Sequence, residues 1–248
     1  MVYQLSAEEL IFSFIMSEKM EEAKQLRDQL YSEEQEELFS VRLDAAANGL
    51  LSKNLIHLTG PNQGELNTTY QELLNQISES KRIIRTSWIE NEQETVQAFY
   101  FNGDQTLKHV TKFGGIAHEL QAVSDWRSEL LDFIAYRPSE NPLFELPLPE
   151  AEFDRILEYA RNENADEIKG LLSQRSDSIS EVNALVQDLA ASKGILGSIF
   201  MISFNEQKQN EGVRSYLYLK GSDHTWLMTH DDEQPIITIQ YFHQGILE

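Results

Sequence analysis

TVQAFYFNGDQTLKHVTK, residues 95–112, is the stretch whose reading decides the fold. Two runs rich in β-branched and aromatic residues, 95–101 and 106–112, flank Asn102-Gly103-Asp104, and that arrangement predicts an antiparallel hairpin. Along the first run Phe99 and Phe101 project to one side, Ala98 and Tyr100 to the other. The purely apolar side reads as core. The tyrosine-bearing side reads as a contact surface, because tyrosine suits half-wet interfaces.

Working outward, residues 83–89 read as a third strand and 118–135 as a helix. Upstream, Tyr70, Leu73, Leu74 and Ile77 form a helical stripe within 66–80, preceded by a turn cluster at 59–64. At the start, Ser6 and Glu9 have the spacing of a capping box, so a helix carrying Leu10 and Phe14 follows. A second acidic helical segment covers 20–31 and a third helix 32–51, with Asn48-Gly49 as its expected break. The acidic run at 33–37 reads as a solvated first helical turn rather than a cation site.

Four of the six prolines fall within 137–149, which marks a stiff connector. The expected organisation is an N-terminal α+β half over 1–137, a connector over 138–149 and a C-terminal α+β half over 150–248. The second half reads as helices at 150–162, 165–174 and 178–192, then strands at 195–205, 213–220, 224–230 and 235–242. It echoes the first. Shifted by 112 residues, the Tyr70 stripe falls on Val182, Leu185, Val186 and Leu189, and Trp88 falls on Phe200. Past the next, longer hairpin the shift becomes 118, placing Ala98 and Tyr100 on Tyr216 and Tyr218. The fold class is therefore α+β, two related helix-plus-antiparallel-meander halves in a pseudo-two-fold arrangement. The faces so aligned nominate Trp88, Ala98, Tyr100, Phe200, Tyr216, Tyr218 and Trp226 as partner-binding residues.

Composition narrows the function. Hydrophobic residues make up 41% of 248, a globular proportion. With 41 acidic against 20 basic residues the net charge is −21, a field that repels nucleic acid and anionic membranes and favours basic or polar partners. The absence of cysteine excludes disulfides, thiolate metal sites and cysteine nucleophiles. The start lacks a basic leader, and the apolar stretch 10–16 is too short to cross a bilayer, so a cytoplasmic protein without membrane insertion is expected. There is no phosphate-binding glycine loop, no G-x-S-x-G and no H-E-x-x-H. His224, His230, Asp231 and Asp232 lie too far apart on an extended strand to share an ion, and nothing orients His109 and His118 as base or ligand. The helix at 32–51 followed by 54–58 and a turn allows winged-helix packing, but without the basic surface DNA requires. The expectation is a non-enzyme with no catalytic, cofactor or metal residues and a protein partner.

The order of elements resembles a known family. Leu5-Ser6-Ala7-Glu8-Glu9-Leu10 opens the chain, and Leu43-Asp44-Ala45-Ala46-Ala47-Asn48-Gly49-Leu50-Leu51 follows. Phe144-Glu145-Leu146-Pro147-Leu148-Pro149-Glu150 stands in the middle, leading to Phe153 and Ile156-Leu157. Thr225-Trp226-Leu227-Met228 and Ile236-Ile237-Thr238-Ile239 close it. This resembles the EspG family of type VII (ESX) secretion-associated chaperones over most of the chain, as a distant, low-GC relative rich in Asn, Gln, Glu and Ile. The resemblance implies an α+β fold with pseudo-two-fold halves. It also implies a cytosolic chaperone or adaptor that binds helical secretion substrates near their tips, here of WXG or LXG type. The alternative is an acidic interaction or immunity-type protein that neutralises a basic partner. No binding residue matches the family one to one, so the seven site residues rest on the strand-face argument.

Overall fold

Val2–Ser6 forms β1 and runs straight into α1, Ala7–Met16. The junction is the expected capping box: the Ser6 amide donates to Glu9 Oε2 at 2.7 Å and the Glu9 amide to Ser6 Oγ at 3.2 Å. In this computed structural model the described residues are 1–31, 36–60, 63–139, 143–231 and 233–248, and the side chains of 36–38 fall outside them. The acidic run expected as a helical turn thus lies largely outside the described residues.

Helices α2 (Met20–Leu30) and α3 (Glu36–Ser52) follow, and α3 continues through Asn48-Gly49 without a break. A short hairpin, β2 (Ile56–Gly60) and β3 (Gln63–Leu66), then leads to α4 (Thr68–Glu79), capped by the Asn67 side chain. The meander comprises β4 (Arg82–Glu90), β5 (Gln93–Asn102), β6 (Gln105–Lys112) and β7 (Ala117–Val123). The second half has β8 (Glu145–Pro149), α6 (Glu150–Arg161), α7 (Ala165–Leu172) and α8 (Ile179–Ala191). Its meander is β9 (Gly197–Phe204), β10 (Asn210–Lys220), β11 (Thr225–His230) and β12 (Ile236–Tyr241).

The helix expected over 118–135 is a correction. Residues 117–123 are strand β7, and only α5, Trp126–Phe133, is helical. The segment pairs β6 on one side and β1 on the other, and its alternation buries His118 and Leu120. Two flanking strands supply hydrogen bonds and a buried face that outweigh the weak local helical pattern. Strands β1 and β8 are likewise missing from the sequence reading, because five residues with two prolines, or five before a capping box, carry too little periodicity to register.

Both halves share one strand order: β1-β7-β6-β5-β4 and β8-β12-β11-β10-β9. Registers fix the correspondence residue by residue. Tyr100 opposes Leu107 and His109 opposes Leu120, while Leu219 opposes Trp226 and Met228 opposes Ile239. Even the bond that ends the first strand recurs: Ala7 N–H to the Ile116 carbonyl, Glu150 N–H to the Pro235 carbonyl, both 2.9 Å. In the meanders the shift is therefore 119 residues, Tyr100 onto Leu219, and not 118. A one-residue slip exchanges the faces of every strand. Tyr100 packs toward the helices of its half, with Leu107 and Leu120, whereas Tyr218 lies on the opposite face from Leu217 and Leu219, which meet the helices of the second. The equivalent of Tyr218 is Phe99, which packs against Trp126.

The chain divides into two compact units, one of Met1–Arg85, Glu90–Trp126 and Ile202–Gly212, the other of Thr86–Ile89, Arg127–Met201 and Val213–Glu248. Each has its own core. In the first, Leu10, Ile11 and Phe14 of α1 meet Tyr70 and Leu74 of α4 over the strands. The Tyr70 hydroxyl donates to Ser13 Oγ at 2.9 Å, and Ser13 donates to the Glu9 carbonyl at 2.7 Å. In the second, Phe153, Ile156, Val182, Leu185 and Leu189 cover Leu219, Trp226 and Ile239. Buried Asp188 of α8 ties that core to the sheet, accepting from Trp226 Nε1 at 2.8 Å and the Ser222 amide at 2.9 Å. Asp188→Ala leaves the fully buried indole N–H without its acceptor. Urea unfolding of that variant is expected to show a loss of about 2 kcal/mol, most of it restored by Asp188→Asn.

Candidate functional site

A cavity of about 600 Å³ lies in the first unit, between α2 and the helix-side face of β5 and β6. Its floor comes from Leu10 and Phe14 of α1 with Val96 and Ala98 of β5, positioned by the 3.6- and 2-residue periods of those elements. Glu22, Gln25 and Gln29 of α2, one turn or so apart, form one rim, and Glu94 and Arg85 stand on the sheet side. An apolar floor inside a polar rim accommodates an apolar side chain carried on a polar backbone.

At the sheet end sit His109 of β6 and His118 of β7. They are diagonal neighbours across the strand pair, since His109 opposes Leu120 and His118 opposes Thr111. The pair is brought together by the tight reversal Phe113-Gly114-Gly115, where φ is +55°, +63° and +97°. His109 Nε2 and His118 Nδ1 are 2.9 Å apart, with Thr111 Oγ1 3.3 Å from the same His109 nitrogen. Two nitrogens at that distance share one proton, so both rings are neutral. Burial, with the neighbouring His118, pushes His109 down to about 3. Burial likewise pushes His118 to about 4, against the opposite pull of the Gly115 backbone and the Glu8 charge. His118 Nε2 is buried without a hydrogen-bond partner among the described residues. Tyr100 stacks on His109 with ring centroids 6.2 Å apart, and burial pushes its phenol up to about 12 despite the Arg85 charge. In the second half the positions of the two histidines belong to Met228 and Ile237, so the pair replaces apolar core with two titratable rings.

Of the seven residues nominated from sequence, Ala98 and Tyr100 come together in this cavity. Ala98 is buried and Tyr100 half-buried. In the second unit Tyr218 is buried, stacked on half-buried Trp88 at 5.7 Å, with its hydroxyl donating to the Ser87 carbonyl at 3.1 Å. The Lys220 ammonium lies 4.5 Å from the Trp88 ring centroid. Trp226 is fully buried in the core, stacked on Tyr241. Phe200 and Tyr216 are half-buried. The common tyrosine face expected for Tyr100 and Tyr218 does not form, for the register reason given above.

The sequence reading missed the histidine pair and the helix residues Leu10, Phe14, Gln25 and Gln29. Only the β6–β7 register makes residues nine apart adjacent. The spacing of two histidines either side of a Gly-Gly turn was the available signal. His224 packs against Tyr241, and among the described residues no three His, Asp or Glu side chains converge to hold a metal ion; Asp232 lies outside them. No helix of the described residues is long and apolar enough to cross a membrane.

The architecture is that of the EspG-like α+β fold. The Mycobacterium tuberculosis type VII secretion system chaperone EspG5, solved in complex with a PE25-PPE41 dimer, superposes with a TM-score of 0.65 over 100% of this chain and 93% of that chain, at 9% identity. In sequence the chain is similar to "Uncharacterized protein YfjC" of Bacillus subtilis (strain 168), 24% identical over 246 residues, covering 92% of this chain and 90% of that protein. The family model described as "Uncharacterised protein YfjC" matches residues 2–248, and the chain belongs to that family.

Proposed function

We propose that this protein is a cytoplasmic chaperone or adaptor that binds a helical protein substrate of a type VII secretion system. The observation that carries the reading is the whole-chain likeness of fold to a chaperone solved with its PE25-PPE41 partner. The cavity of the first unit supports it: its apolar floor takes a side chain from the end of a partner helix, while Gln25 and Gln29 meet the partner's polar flank. Tyr100, at the floor's edge, is the aromatic anchor on this side.

Affinity purification of the tagged chain from its native host tests the reading. A helical type VII substrate is the expected companion. Gln29→Trp, an exposed substitution at the cavity mouth, is expected to weaken its capture about tenfold while leaving the melting curve unchanged. Capture of no such substrate, or equal capture by the variant, sinks the assignment. The −21 charge favours a second reading, an immunity-type protein neutralising a basic partner. Salt separates the two: complexes held by charge weaken steeply between 0.05 and 0.5 M salt, on the order of the Debye screening change, and complexes seated in an apolar cavity do not.

A further inference from the structure

The two outermost strands, β1 and β8, occupy equivalent positions in the repeated topology, but their outer edges differ. Register places Tyr3 and Leu5 with Leu146 and Leu148, all buried, so Val2, Gln4 and Ser6 correspond to Glu145, Pro147 and Pro149. In an antiparallel strand the amide and carbonyl of one residue point to the same side and alternate along the chain. The Ala7 and Glu150 amides point inward, to Ile116 and Pro235. The Gln4 carbonyl points outward, where Lys53 Nζ meets it at 2.9 Å, and the Ser6 amide points outward to Glu9. The outward set is therefore Val2, Gln4 and Ser6 in β1, and Glu145, Pro147 and Pro149 in β8.

On β8 that set is blunted. Two of the three residues are prolines, which have no N–H to offer, and the third carries a charge; both devices stop another strand from pairing. On β1 neither device is present. Val2 and Gln4 are exposed, and β1 is hydrogen-bonded to β7 alone among the strands of the described residues. With the Gln4 carbonyl and the Ser6 amide occupied, the Val2 amide, the Val2 carbonyl and the Gln4 amide are left facing out. A groove of about 510 Å³ runs beside them, walled by Lys53, Asn54, Leu55 and Asn67. In a chain with 41 acidic residues this lining contains no Asp or Glu, and its one charge is the Lys53 ammonium.

We infer that the outer edge of β1 is a strand-addition site that takes an extended, neutral-to-acidic segment of a partner polypeptide. The segment pairs with the backbone of Val2 and Gln4 and lies in the groove under Lys53, with backbone hydrogen bonds supplying affinity and the missing carboxylates excluding basic segments. This inference is independent of the chaperone reading, which concerns the cavity over β5 and β6.

The test uses the whole chain and two acetylated, amidated peptides, TVEVTVT and TVKVTVT, read by hydrogen exchange and NMR titration. TVEVTVT is expected to slow exchange at the Val2 and Gln4 amides and to bind about tenfold more tightly than TVKVTVT. Gln4→Pro copies Pro147: it removes the outward donor, leaves the inward Tyr3 and Leu5 amides protected by β7, and is expected to lose about tenfold in affinity. Val2→Glu copies Glu145 at an exposed position and is expected to repel TVEVTVT, which keeps the test decisive should the proline variant misfold. No binding of TVEVTVT to the native chain at millimolar concentration overturns the inference, as does unchanged binding by both variants. A native dimer that Gln4→Pro dissolves overturns it too, by seating a second copy on the edge.

Discussion

Lowering the pH from 7 to 5 is expected to destabilise the first unit by about 2 kcal/mol for each of His109 and His118, some 4 kcal/mol at most for the pair. In the unfolded chain each imidazole takes a proton near its ordinary value of about 6.5. In the fold the same rings hold out to about 3 and about 4. Below pH 6.5 the unfolded state therefore binds protons that the folded state refuses, and stability falls as pH drops through that window; above it the pair costs nothing. The carboxylates near the pair are Glu8 of α1, whose charge favours protonated His118, and Glu22 and Glu94 at the cavity, with Arg85 opposing. These groups and the rest of the −21 charge add their own pH dependence, so the measurement is a difference. Denaturant unfolding of the native chain is compared with His109→Met/His118→Ile, which copies Met228 and Ile237 of the second half. The double variant should lack the drop between pH 6.5 and 5. Parallel pH curves for the two proteins would mean that the rings are already charged in the fold.

Gly197→Ala is expected to cost about 3 kcal/mol, roughly 10 °C in melting temperature. A β-carbon at Gly197 would stand 2.2 Å from Cζ and 2.3 Å from Cε1 of Tyr218. Both residues are buried, and the ring cannot simply swing away: Trp88 stacks on it and its hydroxyl is bonded to the Ser87 carbonyl. Making room means losing that hydrogen bond and the stacking together, or moving β9 off β10. Tyr218→Phe alone should cost only about 1 kcal/mol, the value of the hydroxyl's bond. Tyr218→Leu should recover part of the loss when combined with Gly197→Ala, a coupling that a double-mutant cycle measures. Additive costs would show that the glycine is there for another reason.

Much of the architecture is legible before any fold is known. The Ser6–Glu9 capping box, the Tyr70 stripe of α4, the hairpin at Gly103 and the helices α6, α7 and α8 are encoded within a few residues of one another. Periodicity and turn chemistry act at that range, and the repeat of α4 as α8 is visible for the same reason. The α+β class follows from them. Strand β7 is not legible, because its conformation is set by partners over a hundred residues apart in one case. Strands β1 and β8 are too short to show a period.

The site divides along the same line. Ala98 and Tyr100 are found from sequence because alternation along one strand shows which residues share a face. Whether that face meets helices or turns away from them depends on register between strands, and there a single residue reverses the answer: Tyr100 and Tyr218 look equivalent at a shift of 118 and are opposed at 119. The histidine pair and the open edge of β1 are of this second kind. Composition and local pattern determine an acidic α+β chain with a repeated helix and meander. The pairing of distant strands alone decides which side chains converge, because hydrogen-bond register carries no trace in the residues themselves.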